Sequence, residues 1–198
     1  MKKPANFDST QVGGDFTPVA LGGHYAIIKN VSERTDKNGD PMIVVSIDFD
    51  KKDSQPGYFT EMFKNDTRDD KKYPNQAVNY ITTERNNDCT RNFKSFMKAF
   101  ADSNGIKEDA LKWDDGFVTQ FKNKKIGVVY GNVEEEYNGE TKLRRKIRWF
   151  CNYAKVGEQR VPDDKLLNNK PTSSSNNTGN KDDFMTVEDG VDDFIPFE

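Results

Sequence analysis

The sequence predicts a mainly β domain of five strands, with one or two helices between the third and fourth, followed by a disordered C-terminal tail. Three observations lead there. Asn38-Gly39 and Asn138-Gly139 each lie between apolar runs, an aromatic stripe at residues 93–100 has helical spacing, and the composition turns polar from about residue 161. Asn and Gly both tolerate positive φ, so an Asn-Gly pair between alternating segments marks a hairpin.

The elements follow in chain order. The first 20 residues, with Pro4, Gly13, Gly14 and Pro18, read as an arm laid on the domain. From His24 on, Tyr25, Ile27, Lys29 and Val31 alternate with Ala26, Ile28 and Asn30, the period of a half-buried strand. Residues 42–49 return across the first Asn-Gly turn as the second strand, and residues 58–63, after Gln55-Pro56-Gly57, read as the third. Residues 64–72 are polar and predict an exposed loop. Phe93, Phe96, Met97 and Phe100 fall at i, i+3, i+4 and i+7, which predicts an amphipathic helix over 90–104 closed by Gly105. Residues 126–137 and 143–153 form the last strand pair around the second Asn-Gly. Five strands with a helix between the third and fourth is the plan of the OB-fold, a small barrel that often binds oligonucleotides. Fold alone does not assign function.

Composition narrows the classes. At 198 residues, 33% apolar and 32% charged, the chain supports one core and a long polar remainder. It has no apolar run long enough for a membrane helix, and the start lacks a secretory h-region, so the expected location is the cytoplasm. One histidine, two cysteines and no CxxC leave no metal framework, and both thiols are expected reduced, in or near the core. No phosphate-binding loop or nucleophile–base pair can be assembled, so no cofactor and no enzymatic activity are expected. Glu134, Glu135 and Glu136 are consecutive strand residues whose side chains alternate between faces and do not converge on an ion.

Charge is unevenly spread. Residues 1–160 carry 27 Lys and Arg against 24 Asp and Glu, whereas residues 161–198 carry 3 against 9. The basic excess concentrates in the last strand. A period of two places Lys142, Arg144, Lys146, Arg148 and Phe150 on one face, with Leu143, Arg145, Ile147, Trp149 and Cys151 on the other. Like charges at every second position repel, so the row has a purpose if an anion lies along it. A single-stranded polynucleotide also needs aromatic faces for base stacking. Tyr58, Phe63, Tyr130, Tyr137 and Phe150 are the candidates, Trp149 being assigned to the inner face, and Arg34 and Lys37 at the first hairpin extend the basic surface.

From about Pro162 the chain is rich in Asn, Ser, Thr, Asp and Lys, too polar to offset its backbone entropy by burial. The expected division is a binding domain over 1–160, a disordered linker over 161–183 and an acidic tip over 184–198. Apolar residues return in that tip, ending Asp192-Asp193-Phe194-Ile195-Pro196-Phe197-Glu198. This ending resembles the acidic tip of bacterial single-stranded DNA-binding proteins, a few aspartates followed by Ile-Pro-Phe or Leu-Pro-Phe. The body is more similar to phage-encoded single-strand binders than to the usual bacterial domain.

The resemblance implies a protein that coats single-stranded DNA in replication or recombination and recruits partner enzymes through Asp192, Asp193, Phe194, Ile195, Pro196 and Phe197. One departure is Glu198, which moves the terminal carboxylate one residue beyond the family's final Phe. An alternative reading is a replisome organiser, or an inhibitor that mimics the host tip and works through protein contacts without DNA. A further one is an accessory subunit of a nuclease or recombinase. Self-association is left open, because OB domains associate through ordinary strand surfaces.

Overall fold

The computed structural model describes residues 2–5, 7–8 and 17–167. The chain divides between Asn168 and Asn169. The expected tip lies outside the described residues, as does the linker from residue 168 onward.

Alternating burial marks β1 (Gly22–Thr35) and a nearly continuous buried apolar run makes β2 (Pro41–Phe49), the two joined by a turn that Asp36 organises. The Asp36 carboxylate accepts from the backbone N–H of Asn38 and Asp40, and only Gly39 of the Asn-Gly pair has positive φ. The second Asn-Gly differs. Asn138 (φ 54°) and Gly139 (φ 77°) are both left-handed, as a two-residue hairpin demands, and they join β6 (Lys125–Tyr137) to β7 (Glu140–Cys151).

The expected third strand is corrected. Tyr58–Asn65 forms a helix, α1, with Phe59, Met62 and Phe63 at i, i+3 and i+4. A residue distant in sequence decides this: Asp48 accepts from the Phe59 N–H at 3.0 Å and from the Thr60 hydroxyl, satisfying the helix start that the local sequence leaves uncapped. The third sheet strand is instead β3 (Val78–Thr82), and a two-stranded ribbon of β4 (Glu84–Arg85) and β5 (Asp88–Cys89) follows it. The predicted helix is found as α2 (Arg91–Asn104), between the third and fourth strands of the main sheet. The Thr90 side chain caps its first turn, Gly105 closes it with φ 63°, and Phe93, Phe96, Met97 and Phe100 are all buried.

The five-stranded sheet is antiparallel throughout, in the order β3-β2-β1-β6-β7. It does not close into the expected barrel. Among the described residues no ladder joins β3 to β7. A side chain spans the gap instead: the Tyr130 hydroxyl of β6 donates to the Gln76 carbonyl just before β3, at 2.7 Å.

The core has two aromatic ends. At one, Phe96, Phe100 and Phe121 pack beneath α2. At the other, His24, Phe49, Phe59 and Tyr130 form a box, with His24 stacked on Phe49 at 4.3 Å between ring centres. The arm is tied over this box through four successive carbonyls. Thr17 O accepts from Tyr58, Pro18 O from Gln55, Val19 O from Arg145 and Ala20 O from His24, while the Val19 side chain is fully buried.

Residues 161–167, read as the start of the linker, pack on the domain. Lys165 forms a parallel bridge with Val133, prolonging the sheet where β1 ends at Gly22. None of the described helices is long and apolar enough to cross a membrane.

Candidate nucleic-acid interface

The last strand carries the cation row, and a bulge rearranges it. The β6–β7 register shifts between Val129↔Trp149 and Tyr130↔Ile147, so Arg148 is the extra residue. Before the bulge the expected faces hold: Ile147 and Arg145 point inward, and Lys142, Arg144 and Lys146 point outward. Beyond it the faces exchange. Phe150 turns in and packs on Phe96 at 5.1 Å, whereas Trp149 turns out, 40% exposed, with its indole N–H on Gln159. The assignment of Phe150 to the outer row and of Trp149 to the inner face is thereby corrected. Arg148 is half-buried and donates to the carbonyls of Asn132 and Asp163, which latches the 161–165 segment onto β6.

The outward cations have acidic neighbours. Lys142 pairs with Glu140 at 2.6 Å, and Glu135 bridges Arg144, at 3.5 Å, and Lys146. Glu135 can do this because it lies on the same face of the ribbon, directly opposite Lys142. Glu134 faces away, its carboxylate accepting from the Leu167 N–H. Among the described residues no group of His, Cys, Asp and Glu is arranged to hold a metal ion.

The aromatic candidates separate. Tyr130 is fully buried in the box, so the expectation that it stacks on a base is corrected; burial raises its phenol well above the ordinary range and keeps it a neutral donor. Tyr58 and Phe63 are half-buried on α1, not on a strand, and line a cleft of about 570 Å³ with Met62, Arg68 and Lys72. Arg68 there is held by Asp66 through paired nitrogens at 2.7 and 3.0 Å, which holds that carboxyl down at about 2. Tyr137 is exposed at the tip of the β6–β7 ribbon.

The sequence reading found Arg34 and Lys37 but missed Tyr80 on the same surface. The β1–β2–β3 registers place Ser32, Val44 and Tyr80 in one row across the outer face, with Arg34, Met42 and Thr82 in the next. Tyr80 is half exposed beside a buried Val44 on the neighbouring strand, and Arg34 and Lys37 stand exposed at the hairpin end of β1 and β2. No signal was read in residues 73–89, because β3 is short and its alternation is interrupted by polar neighbours.

One thiol differs from expectation: Cys89 is exposed on β5, correcting its placement in or near the core. Cys151 is half-buried against Gly127, and burial pushes its thiol up to about 11. Comparison with protein-family models and with curated proteins yields no match to this chain.

Proposed function

We propose that the chain is a non-enzymatic single-stranded DNA-binding protein whose body grips the backbone and stacks bases, and whose acidic tip recruits replication or recombination proteins. The observation that carries this reading is the outward row of Lys142, Arg144 and Lys146 on a ribbon that runs on past the end of β1, with Tyr137 exposed at its tip. A cationic track beside exposed aromatic faces is what sequence-tolerant single-strand binding requires.

The sheet order supports it. β3-β2-β1-β6-β7 with α2 after β3 follows the OB plan, opened at the seam between β3 and β7. In that plan the face of the second and third strands and the loops at either end receive the oligonucleotide. Here that face presents Tyr80, with Arg34 and Lys37 at one end and the β6–β7 ribbon at the other. The DNA site is therefore assigned to Arg34, Lys37, Tyr80, Tyr137, Lys142, Arg144 and Lys146. The tip sequence, residues 192–197, supplies Phe194, Ile195 and Phe197 to suit a small apolar pocket and Asp192 and Asp193 to suit a basic rim. A phage or mobile-element protein acting in a bacterial cytoplasm fits both halves.

The pairing of the cations with Glu135 and Glu140 favours the rival reading of an interaction protein indifferent to DNA. Fluorescence anisotropy of the full chain with labelled oligo-dT, duplex DNA and RNA at two salt concentrations separates the two. Salt-sensitive binding that prefers the single strand is expected. No binding at low ionic strength would overturn the proposal and leave the rival.

A further inference from the structure

We infer that Arg144 and Lys146 form a phosphate seat that Glu135 fills in the free protein, making Glu135 a built-in competitor of the polynucleotide backbone. This rests on the reading of the body as a single-strand binder and adds to it the position and the regulation of one contact.

The geometry singles out Glu135 from its neighbours. Of three consecutive carboxylates, period-two alternation puts only the middle one on the cationic face. Its two oxygens are divided between two cations from alternate positions of the facing strand: Oε2 lies 3.5 Å from Nε of Arg144, and Oε1 receives Nζ of Lys146. A phosphodiester offers the same thing, two anionic oxygens on one centre, and an arginine fork beside a lysine suits either guest.

The seat is also open. The Arg144 and Lys146 side chains are 56% and 47% exposed, so a backbone phosphate can approach from solvent while the carboxylate swings aside. No bond is made or broken. An internal anion keeps the two cations from repelling each other in the free ribbon and sets a threshold that an isolated anion passes less readily than a strand bound at several points.

The test compares two variants with the same change in net charge. Glu135→Gln removes the competitor, whereas Glu136→Gln removes an exposed carboxylate one residue on, whose side chain points to the other face. With the full chain and fluorescein-labelled oligo-dT at low salt, E135Q should bind about three- to tenfold tighter than wild type, as expected for freeing two surface ion pairs. E136Q should stay within about twofold, and the gap between the variants should shrink in high salt.

Equal affinities for E135Q and E136Q, with wild type still binding, would overturn the seat and leave the function standing. Absence of wild-type binding would overturn both. Should E135Q lower the thermal midpoint, Glu135→Thr keeps a good strand former in place and repeats the comparison. A weaker E135T at an unchanged midpoint would likewise sink the seat.

Discussion

The two ends of the β6–β7 ribbon belong to the same two strands and obey opposite rules. In the inner half, residues 126–131 are all buried. Ile126, Val128 and Tyr130 fill the core, while Gly127 and Gly131 have no side chain because Cys151, Val156, Pro162 and Arg148 occupy the outer face above them. In the outer half, Glu135, Glu140, Lys142 and Arg144 stand in or near solvent and form pairs that water and salt weaken. One half carries stability and the other carries charge, so substitutions in the two halves should move different observables.

On stability, the largest effect is expected from Tyr130→Ala. It empties the aromatic box and abandons the Gln76 link across the open seam, and should cost about 3–5 kcal/mol in denaturant unfolding. Gly127→Ala comes next. An added Cβ would lie 2.6 Å from Cys151 Sγ and 2.9 Å from its carbonyl, an overlap expected to cost about 1–3 kcal/mol. A loss below about 0.5 kcal/mol at either position would break the contrast.

Acid should weaken the box through Asp53, which bonds to His24. Burial works to raise the Asp53 carboxyl, but the hydrogen bonds it accepts from His24, Gln55 N–H and Tyr25 N–H outweigh that and hold it below the ordinary value. A carboxyl depressed in the folded state stabilises fully above its unfolded value near 3.8, and that contribution is lost as pH falls through the lower folded value. Thermal midpoints should therefore drop below about pH 4, and less steeply for Asp53→Asn. An identical pH profile for D53N would remove the box from the acid response.

Arg144→Glu with Lys146→Glu should change stability by less than about 0.5 kcal/mol. The same pair should flatten the salt dependence of oligo-dT binding, by about 0.7 in logarithmic slope for each lost phosphate contact. Tyr80→Ala should weaken that binding without altering the slope, since stacking is uncharged. A changed slope with an intact row would mean the stacking surface and the charged row are not separable. The smallest effect concerns the thiols: exposed Cys89 should react with a disulfide reagent first and Cys151 slowly, with Cys89→Ser abolishing the fast phase.

Features that depend on local spacing were legible in the residues alone. The aromatic stripe of α2, its Gly105 end, the paired left-handed turn at Asn138-Gly139, and the outward placement of Lys142, Arg144 and Lys146 each need only a few neighbouring positions to specify them. Features set by partners far along the chain were not. Residues 58–63, read as a strand, are helical, with Asp48 accepting from the Phe59 N–H and the Thr60 hydroxyl at the first turn. A one-residue bulge opposite Tyr130 exchanges Trp149 and Phe150 between faces, and a period of two has no means of registering it. The depth of Tyr130, the exposure of Tyr80 and the bridge from Glu135 to two cations are likewise properties of what packs against or across from a residue. The sequence by itself determined the periods and the charges; the tertiary structure decided which face each side chain meets, because burial and register are settled only when separate segments come together.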